Sequence, residues 1–168
     1  MIDKMNKNDI PINESDVEKQ IRFDDFYYKD KFRFICRLAP NILKERIDII
    51  DEVDSLTDKP DLVYALVING RIIKIGSSTT SFKDRVSSYN CGKKAYRQNG
   101  TCSTTNYVVL QSILNINKNV DVYAFFPEKY ILNIWGENKE ISLSKKYEKR
   151  ILTELKKNGK FPILCTQK

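Results

Sequence analysis

The segment Asp61 to Gly76, DLVYALVINGRIIKIG, constrains the fold more than any other part of the chain. It reads as two short apolar strands closed by a turn at Asn69-Gly70, a dipeptide suited to hairpin turns. Each strand carries one polar group that a buried sheet does not need: the phenol of Tyr64 and the ammonium of Lys74. A two-residue turn pairs Ile68 with Arg71 and sends Tyr64 and Lys74 to opposite faces. A three-residue loop, Ile68-Asn69-Gly70, slips the register by one and sets Tyr64 directly opposite Lys74. The three-residue form is predicted here, because it brings the two polar groups together.

Charge separates the chain into two parts. Residues 1–60 hold 11 Lys+Arg against 14 Asp+Glu, a net of −3, and residues 61–168 hold 18 against 8, a net of +10. The basic excess thus begins with the hairpin and points to a polyanionic partner, most simply nucleic acid, although solubility alone explains such charge about equally well. The 168 residues suffice for one good core with a smaller appendage. No apolar run is long enough to span a bilayer and the N-terminus is polar, so no membrane contact and a cytoplasmic location are expected. Cys36, Cys91, Cys102 and Cys165 are scattered, as suits reduced thiols; a four-cysteine zinc module would need closer pairs. The chain has no histidine. That removes Ser-His-Asp and Cys-His catalysis and histidine-metal sites, leaving Asp, Glu, Lys, Tyr or Cys as the base.

Along the chain, Ser15 to Glu18 reads as a capping box opening a helical region through Phe26, Phe32, Ile35 and Leu38. Asn41 is read as the cap of a second helix, with Ile42, Leu43, Ile47 and Ile50 on its apolar side. Residues 1–60 are therefore expected to form a helical extension packed on a core domain at 61–168. After Gly76, a Ser/Thr run precedes a helix with Phe82, Val86 and Tyr89 on one side and Arg85 beside them. Residues 90–106 read as a long basic loop, which in a compact domain is usually functional or disordered. Thr105 is taken as the cap of the next helix, to Leu114. Val120 to Phe126 forms a third strand, an extra hairpin is expected near Trp135-Gly136, and a last helix runs from Ser144 to Asn158 before Gly159.

Most carboxylates of the basic part border strands or helix ends. Glu148 differs, because it precedes Ile151, Leu152 and Leu155 and so flanks the buried stripe of the last helix. Spacing alone also allows an exposed glutamate paired to neighbouring lysines. A single carboxylate suits Mg²⁺, which keeps most of its waters and takes substrate phosphate as a ligand.

Leu62-Val63-Tyr64, Lys74-Ile75-Gly76, Arg85 and a helical Glu148, in that order, resemble the motifs of the GIY-YIG nuclease superfamily. YNCGK…NGTCSTTNY (Tyr89 to Tyr107) and VYAFFPE (Val122 to Glu128) are most similar to its small Type II restriction endonuclease branch. The chain departs from the superfamily pattern at Lys74, often tyrosine, and at Tyr89, often histidine. The resemblance implies an α+β fold: a small three-stranded, mainly antiparallel sheet flanked by helices, with N-terminal helices and insertions added. It implies metal-dependent hydrolysis of double-stranded DNA at a short palindromic site, one Mg²⁺ per active site held by Glu148, a homodimer, and a cognate DNA methyltransferase in the cell. Tyr64 would accept the proton of the attacking water, with Lys74 stabilising its phenolate. Arg85 would bind the scissile phosphate, and Tyr89 would bond the phosphate or orient Arg85. DNA contacts are expected from Ser77, Lys93, Lys94, Tyr96, Arg97, Gln98, Ser103, Thr104, Asn106 and Gln167. The competing readings are a repair or mobile-element nuclease on the same fold and a basic nucleic-acid-binding module without catalysis.

Overall fold

A computed structural model describes residues 9–165. The hairpin is present as β3 (Leu62–Ile68) and β4 (Arg71–Ser78), but its turn has two residues: Ile68 pairs with Arg71. Asn69 and Gly70 both take left-handed conformations, φ 50° and 72°. Two successive positive φ values make the turn whose twist matches flanking antiparallel strands, and this wins over the three-residue loop expected. The register slips further along instead. Val67 pairs with Ile72 and Leu66 with Lys74, leaving Ile73 as the extra residue of a β-bulge, and Tyr64 then pairs with Gly76. Tyr64 and Lys74 share a face after all, through the bulge, yet a glycine and not the lysine lies opposite the phenol.

The sheet has five strands rather than three, in the order β2-β1-β5-β3-β4, all neighbours antiparallel. Here β1 is Arg33–Asn41, β2 is Arg46–Ile50 and β5 is Val120–Phe125. The two additional strands come from the region expected to be helical. A bulge between Phe34 and Cys36 breaks the alternation of β1, so Ile35 and Cys36 are both buried and Leu38 follows Ile35 by three. That spacing imitates a helical stripe. The Asn41 side chain does accept a bond from the Lys44 amide (3.2 Å), but the chain reverses at Glu45 (φ 48°) and returns as a strand. Pro40 lies beyond the end of the β1–β5 ladder at Leu38, so its missing N–H removes no bond there.

Among the described residues, α1 (Glu14–Glu18) is the one α-helix that precedes these strands, capped by Asn13 with Asp16 as its reciprocal partner, two residues ahead of the Ser15 box. Single-turn 3-10 segments at Phe23–Asp25 and Lys29–Lys31 then fold Phe26 and Phe32 into the core. The described part of this region, residues 9–60, thus contributes mainly strands to the central sheet.

Helices cover both faces. On one face α2 (Phe82–Tyr89) and α4 (Thr104–Ile116) pack Phe82, Val86, Leu110 and Ile113 against Leu62, Tyr64 and Leu66. On the other, α5 (Ser144–Lys157) packs Ile151 and Leu155, with Phe26 and Phe32, against Val63, Ala65 and Val67. All seven residues of β3 are buried, as an inner strand covered on both faces should be. Each such aliphatic side chain contributes about 1.5–3 kcal/mol. A five-residue α3 (Lys94–Gln98) interrupts the long loop, and α4 starts from Ser103, not Thr105. β6 (Tyr130–Ile134) and β7 (Glu137–Ile141) form a separate two-stranded hairpin at Trp135-Gly136, as expected.

The outer edge of β4 is covered by two distant segments. Ile72 donates to the Ile21 carbonyl (2.9 Å) near the turn. Further along, the Leu164 amide donates to the Ile73 carbonyl (3.0 Å), and the Cys165 thiol both accepts from the Ile75 amide (3.3 Å) and donates to its carbonyl (3.2 Å). Cys165 thereby substitutes for a strand neighbour at the bulged end of the edge.

Candidate active site

Past the bulge, β4 ends in Gly76, Ser77 and Ser78, and a cavity of about 470 Å³ opens there. Its walls include Tyr64 and Lys74 from the hairpin, Arg85 and Tyr89 from α2, and Lys145 and Glu148 from α5. The edge position of β4 explains this convergence: helices on opposite faces of the sheet can both reach around its end. All five residues predicted as catalytic line the one cavity, as does Ser77.

Gly76 is fixed by the phenol. A Cβ at this position would collide with the Tyr64 hydroxyl and lie 2.5 Å from the ring Cζ. The ring crosses directly over the glycine and is held on its other side by Phe82, whose centroid is 5.2 Å away. Its hydroxyl is hydrogen-bonded to that of Tyr89. Burial pushes the Tyr64 phenol up to about 12, with the Arg85 charge and the Tyr89 bond opposing that rise. Burial raises Tyr89 well above the ordinary phenol range, and the neighbouring Tyr64 adds to it. The Tyr89 hydroxyl is thus spent on Tyr64, while Arg85 lies 5.9 Å from the Tyr89 ring centre.

Arg85 donates from one terminal nitrogen to the Ser77 carbonyl (3.2 Å). Its Nε is buried with no hydrogen-bond partner, an arrangement that costs free energy until an acceptor arrives. The Ser77 hydroxyl donates to the Glu148 carboxylate, which links β4 to α5 across the cavity. Capping of α2 is local: Ser81 and Asp84 form a reciprocal box that sets the helix, and so Arg85, directly after the Ser/Thr run.

Lys74 is not the phenol's partner. Its ammonium donates to the Leu164 carbonyl (3.1 Å), and burial lowers its pKa against the raising influence of Cys165 and Glu148. The physical reason is again the bulge: it sets Lys74 opposite Leu66 and toward the strand edge, where residues 164 and 165 dock. The positive charge that favours a Tyr64 phenolate is that of Arg85.

The predicted DNA-contacting residues divide. Lys94, Tyr96 and Gln98 are exposed on α3, and Lys93 is its N-terminal neighbour. Arg97 is tied down by a bond to Thr104 (2.8 Å) and lies 5.5 Å from the Tyr107 ring centre. Ser103 accepts from the Asn106 amide (3.2 Å) as the cap of α4. The segment is anchored at Gly92, where a Cβ would lie 2.5 Å from the Asn106 carbonyl carbon. Gln167 falls outside the described residues. Sequence reasoning passed over Lys145 and Thr105 as cavity residues. Lys145 precedes Glu148 by three, so helical spacing already put both on one side of α5. The docking of Leu164 and Cys165 left no sequence signal.

The four cysteines are free, and among the described residues no cluster of three His, Cys, Asp or Glu side chains could hold a metal, which overturns the zinc-module reading. Around Glu148 the other uncharged donors are oxygens, led by the Ser77 hydroxyl. One carboxylate and hydroxyl oxygens fit a hard divalent ion that retains water. No helix among the described residues is long and apolar enough to cross a membrane.

No family model matches the chain, and no curated protein matches it. Solved structures do. Restriction endonuclease HPY188I in complex with product DNA is 46% identical, with 98% of this chain and 97% of that chain covered and a TM-score of 0.77. A mutant of bacteriophage T4 EndoII is 15% identical over 81% of this chain and 96% of that one, with a TM-score of 0.60, a likeness of fold. At 46% identity over nearly the whole of both chains, the protein belongs to the restriction endonuclease family of HPY188I.

Proposed function

We propose that this restriction endonuclease is a Type II site-specific deoxyribonuclease that works by GIY-YIG chemistry, hydrolysing both strands of DNA at a short palindromic site with a divalent ion, Mg²⁺, at Glu148. The observation that carries the reading is the buried, partnerless Nε of Arg85 beside the Tyr64 phenol and the Glu148 carboxylate. A buried guanidinium nitrogen without an acceptor is suited to a phosphate oxygen.

Arg85 binds the scissile phosphate and meets the charge that grows on it as water attacks. The water oxygen bonds to phosphorus, the phosphorus bond to the 3′-oxygen breaks, and the water's proton passes to Tyr64 in the fraction of molecules where it is the phenolate, which becomes the neutral phenol. Burial disfavours the phenolate, and the cation that offsets this is Arg85. The Tyr89 hydroxyl donates to the phenolate oxygen and fixes its direction. Phe82 and Gly76 confine the ring, so the proton acceptor does not wander. Glu148 and the Ser77 hydroxyl would hold the Mg²⁺, which when bound would supply positive charge for the departing 3′-oxygen. Lys74 is a second cation in the cavity, held by the Leu164 carbonyl and so a contributor to the phosphate field. Lys93, Lys94, Tyr96 and Gln98 lie on the exposed segment that would read or grip the duplex.

Incubation with plasmid DNA and Mg²⁺ tests this directly. Discrete fragments are expected. A smear would point instead to a nuclease that reads DNA structure, and retarded but intact DNA to a binding module.

A further inference from the structure

β2 is an edge strand, at the opposite side of the sheet from β4, and it holds the start of the basic 90–106 segment. The Asn90 side-chain carbonyl accepts from the Ile47 amide (2.8 Å), and its side-chain amide donates to the Ile47 carbonyl (3.0 Å). Two residues on, the Gly92 carbonyl accepts from the side-chain amide of Gln111, a buried residue of α4 (3.0 Å). The same amide nitrogen also donates to Glu45 Oε1 (2.9 Å), and the Lys94 backbone amide donates to that oxygen too (2.7 Å). One carboxylate oxygen thus joins the β1–β2 turn, α4 and the first residue of α3. α3 needs the help. Its N-cap, Lys93, gives no side-chain bond, and five residues are too few for a helix to hold by itself.

Two features mark Glu45 as kept for its side chain. Its backbone is left-handed, φ 48°, in the turn between β1 and β2. Glycine or asparagine takes that conformation at lower cost, but neither has a side chain as long as glutamate's. Strain retained at one residue points to a job for what it carries. The charge is also out of place for a DNA contact. Residues 90–106 hold Lys93, Lys94 and Arg97 and no acid, and a carboxylate beside them works against a phosphate backbone.

We propose that Glu45 is a positioning residue for DNA binding: it fixes residues 93–98 in the orientation in which Lys93, Lys94, Tyr96 and Gln98 meet the duplex. A hydrogen bond to an ionised acceptor is about twice as strong as a neutral one, so one carboxylate can set a segment this short. The β1–β2 pair then does more than widen the sheet. It is the rigid frame on which the segment is set before DNA arrives, which spares the complex the cost of ordering it. The inference rests on the reading above that residues 93–98 contact DNA.

Two variants of the full chain separate the side chain from the turn. Glu45→Gly relieves the backbone and removes the acceptor. Glu45→Gln keeps one carbonyl oxygen that can accept both bonds. Trypsin cleavage after Lys93, Lys94 and Arg97, without DNA, reads the hold on the segment. Affinity for a duplex fragment that the parent cuts, with Ca²⁺ in place of Mg²⁺, reads its consequence, and single-turnover cleavage at saturating protein reads the chemistry. Glu45→Gly is expected to be cut by trypsin at these bonds, and to lose DNA affinity, by about tenfold or more each, as the loss of one charge-assisted bond implies. Its cleavage rate on saturated DNA should equal the parent's, and Glu45→Gln should match the parent throughout. Parent-like trypsin resistance in Glu45→Gly overturns the proposal. So does a Glu45→Gln chain that behaves like Glu45→Gly, or a cleavage rate that falls while affinity holds. Protection of the same three bonds by DNA in the parent tests the reading underneath. Absence of protection refutes the DNA contact, and the proposal with it, whatever happens to plasmid DNA. Protection with the expected variant differences, but no cleavage of plasmid by the parent, refutes the nuclease and supports the role of Glu45.

Discussion

Substituting Gly76 by alanine is the smallest change that should disable the site. The added Cβ would lie 2.5 Å from the Tyr64 Cζ, and ordinary contact begins near 3.4 Å, so the ring must withdraw by about 0.9 Å. It has little room to do so, because Tyr64 is 1% exposed and Phe82 backs it at 5.2 Å. Overpacking a rigid aromatic in a filled core costs about 1–3 kcal/mol. For a chain of this size that lowers the melting temperature by roughly 2–4 °C per kcal/mol. The displaced phenol matters more: a misplacement near 1 Å costs about 10²-fold in rate. Gly76 does not have a positive φ, so backbone strain contributes nothing and the whole effect is the collision. Thermal melting and single-turnover cleavage of a DNA fragment would read the two consequences. A Gly76→Ala chain that melts and cuts like the parent would refute the claim that the ring crosses the glycine.

Three further outcomes follow from the buried groups. Cleavage should accelerate with pH between about 7 and 10, close to tenfold per unit, because the proton acceptor is a phenol raised to about 12 and the phenolate fraction grows below that value; a flat single-turnover profile would remove Tyr64 from that role. The same shift makes the fold alkali-sensitive: below pH ~10 the phenol is protonated in both folded and unfolded chains, and above it the unfolded chain loses its proton first, so stability falls as pH rises toward 12. Lys74→Met should cut more slowly yet melt no lower than the parent, since burial already disfavours the ammonium; a marked loss of stability would mean that the bond to Leu164 outweighs that cost.

Much of the site was legible in the sequence because its residues lie on regular elements with strong local signals. Ser81 caps α2 and the Phe82, Val86, Tyr89 stripe orients it, which fixes Arg85. Glu148 is set by the Ile151 and Leu155 stripe of α5. What could not be read depends on bulges. The bulge at Ile73 decided which residue faces Tyr64, and that at Phe34/Cys36 made β1 look helical, although neither leaves a residue type that marks it. The partner of Lys74 is a main-chain carbonyl 90 residues away, and backbone groups carry no sequence identity. The antiparallel β1–β2 pair also needed β5 beside it to become a sheet, a long-range pairing that local propensity does not encode.

The central claim is that the phenol of Tyr64 takes the proton from the attacking water. Tyr64→Phe keeps the ring between Phe82 and Gly76 and removes only the hydroxyl that meets Tyr89. Single-turnover cleavage and DNA binding, measured on the same variant with Mg²⁺, give the most direct answer. The account predicts cleavage reduced by at least about 10²-fold, with DNA affinity unchanged. Cleavage near the parent rate, with binding intact, would contradict it.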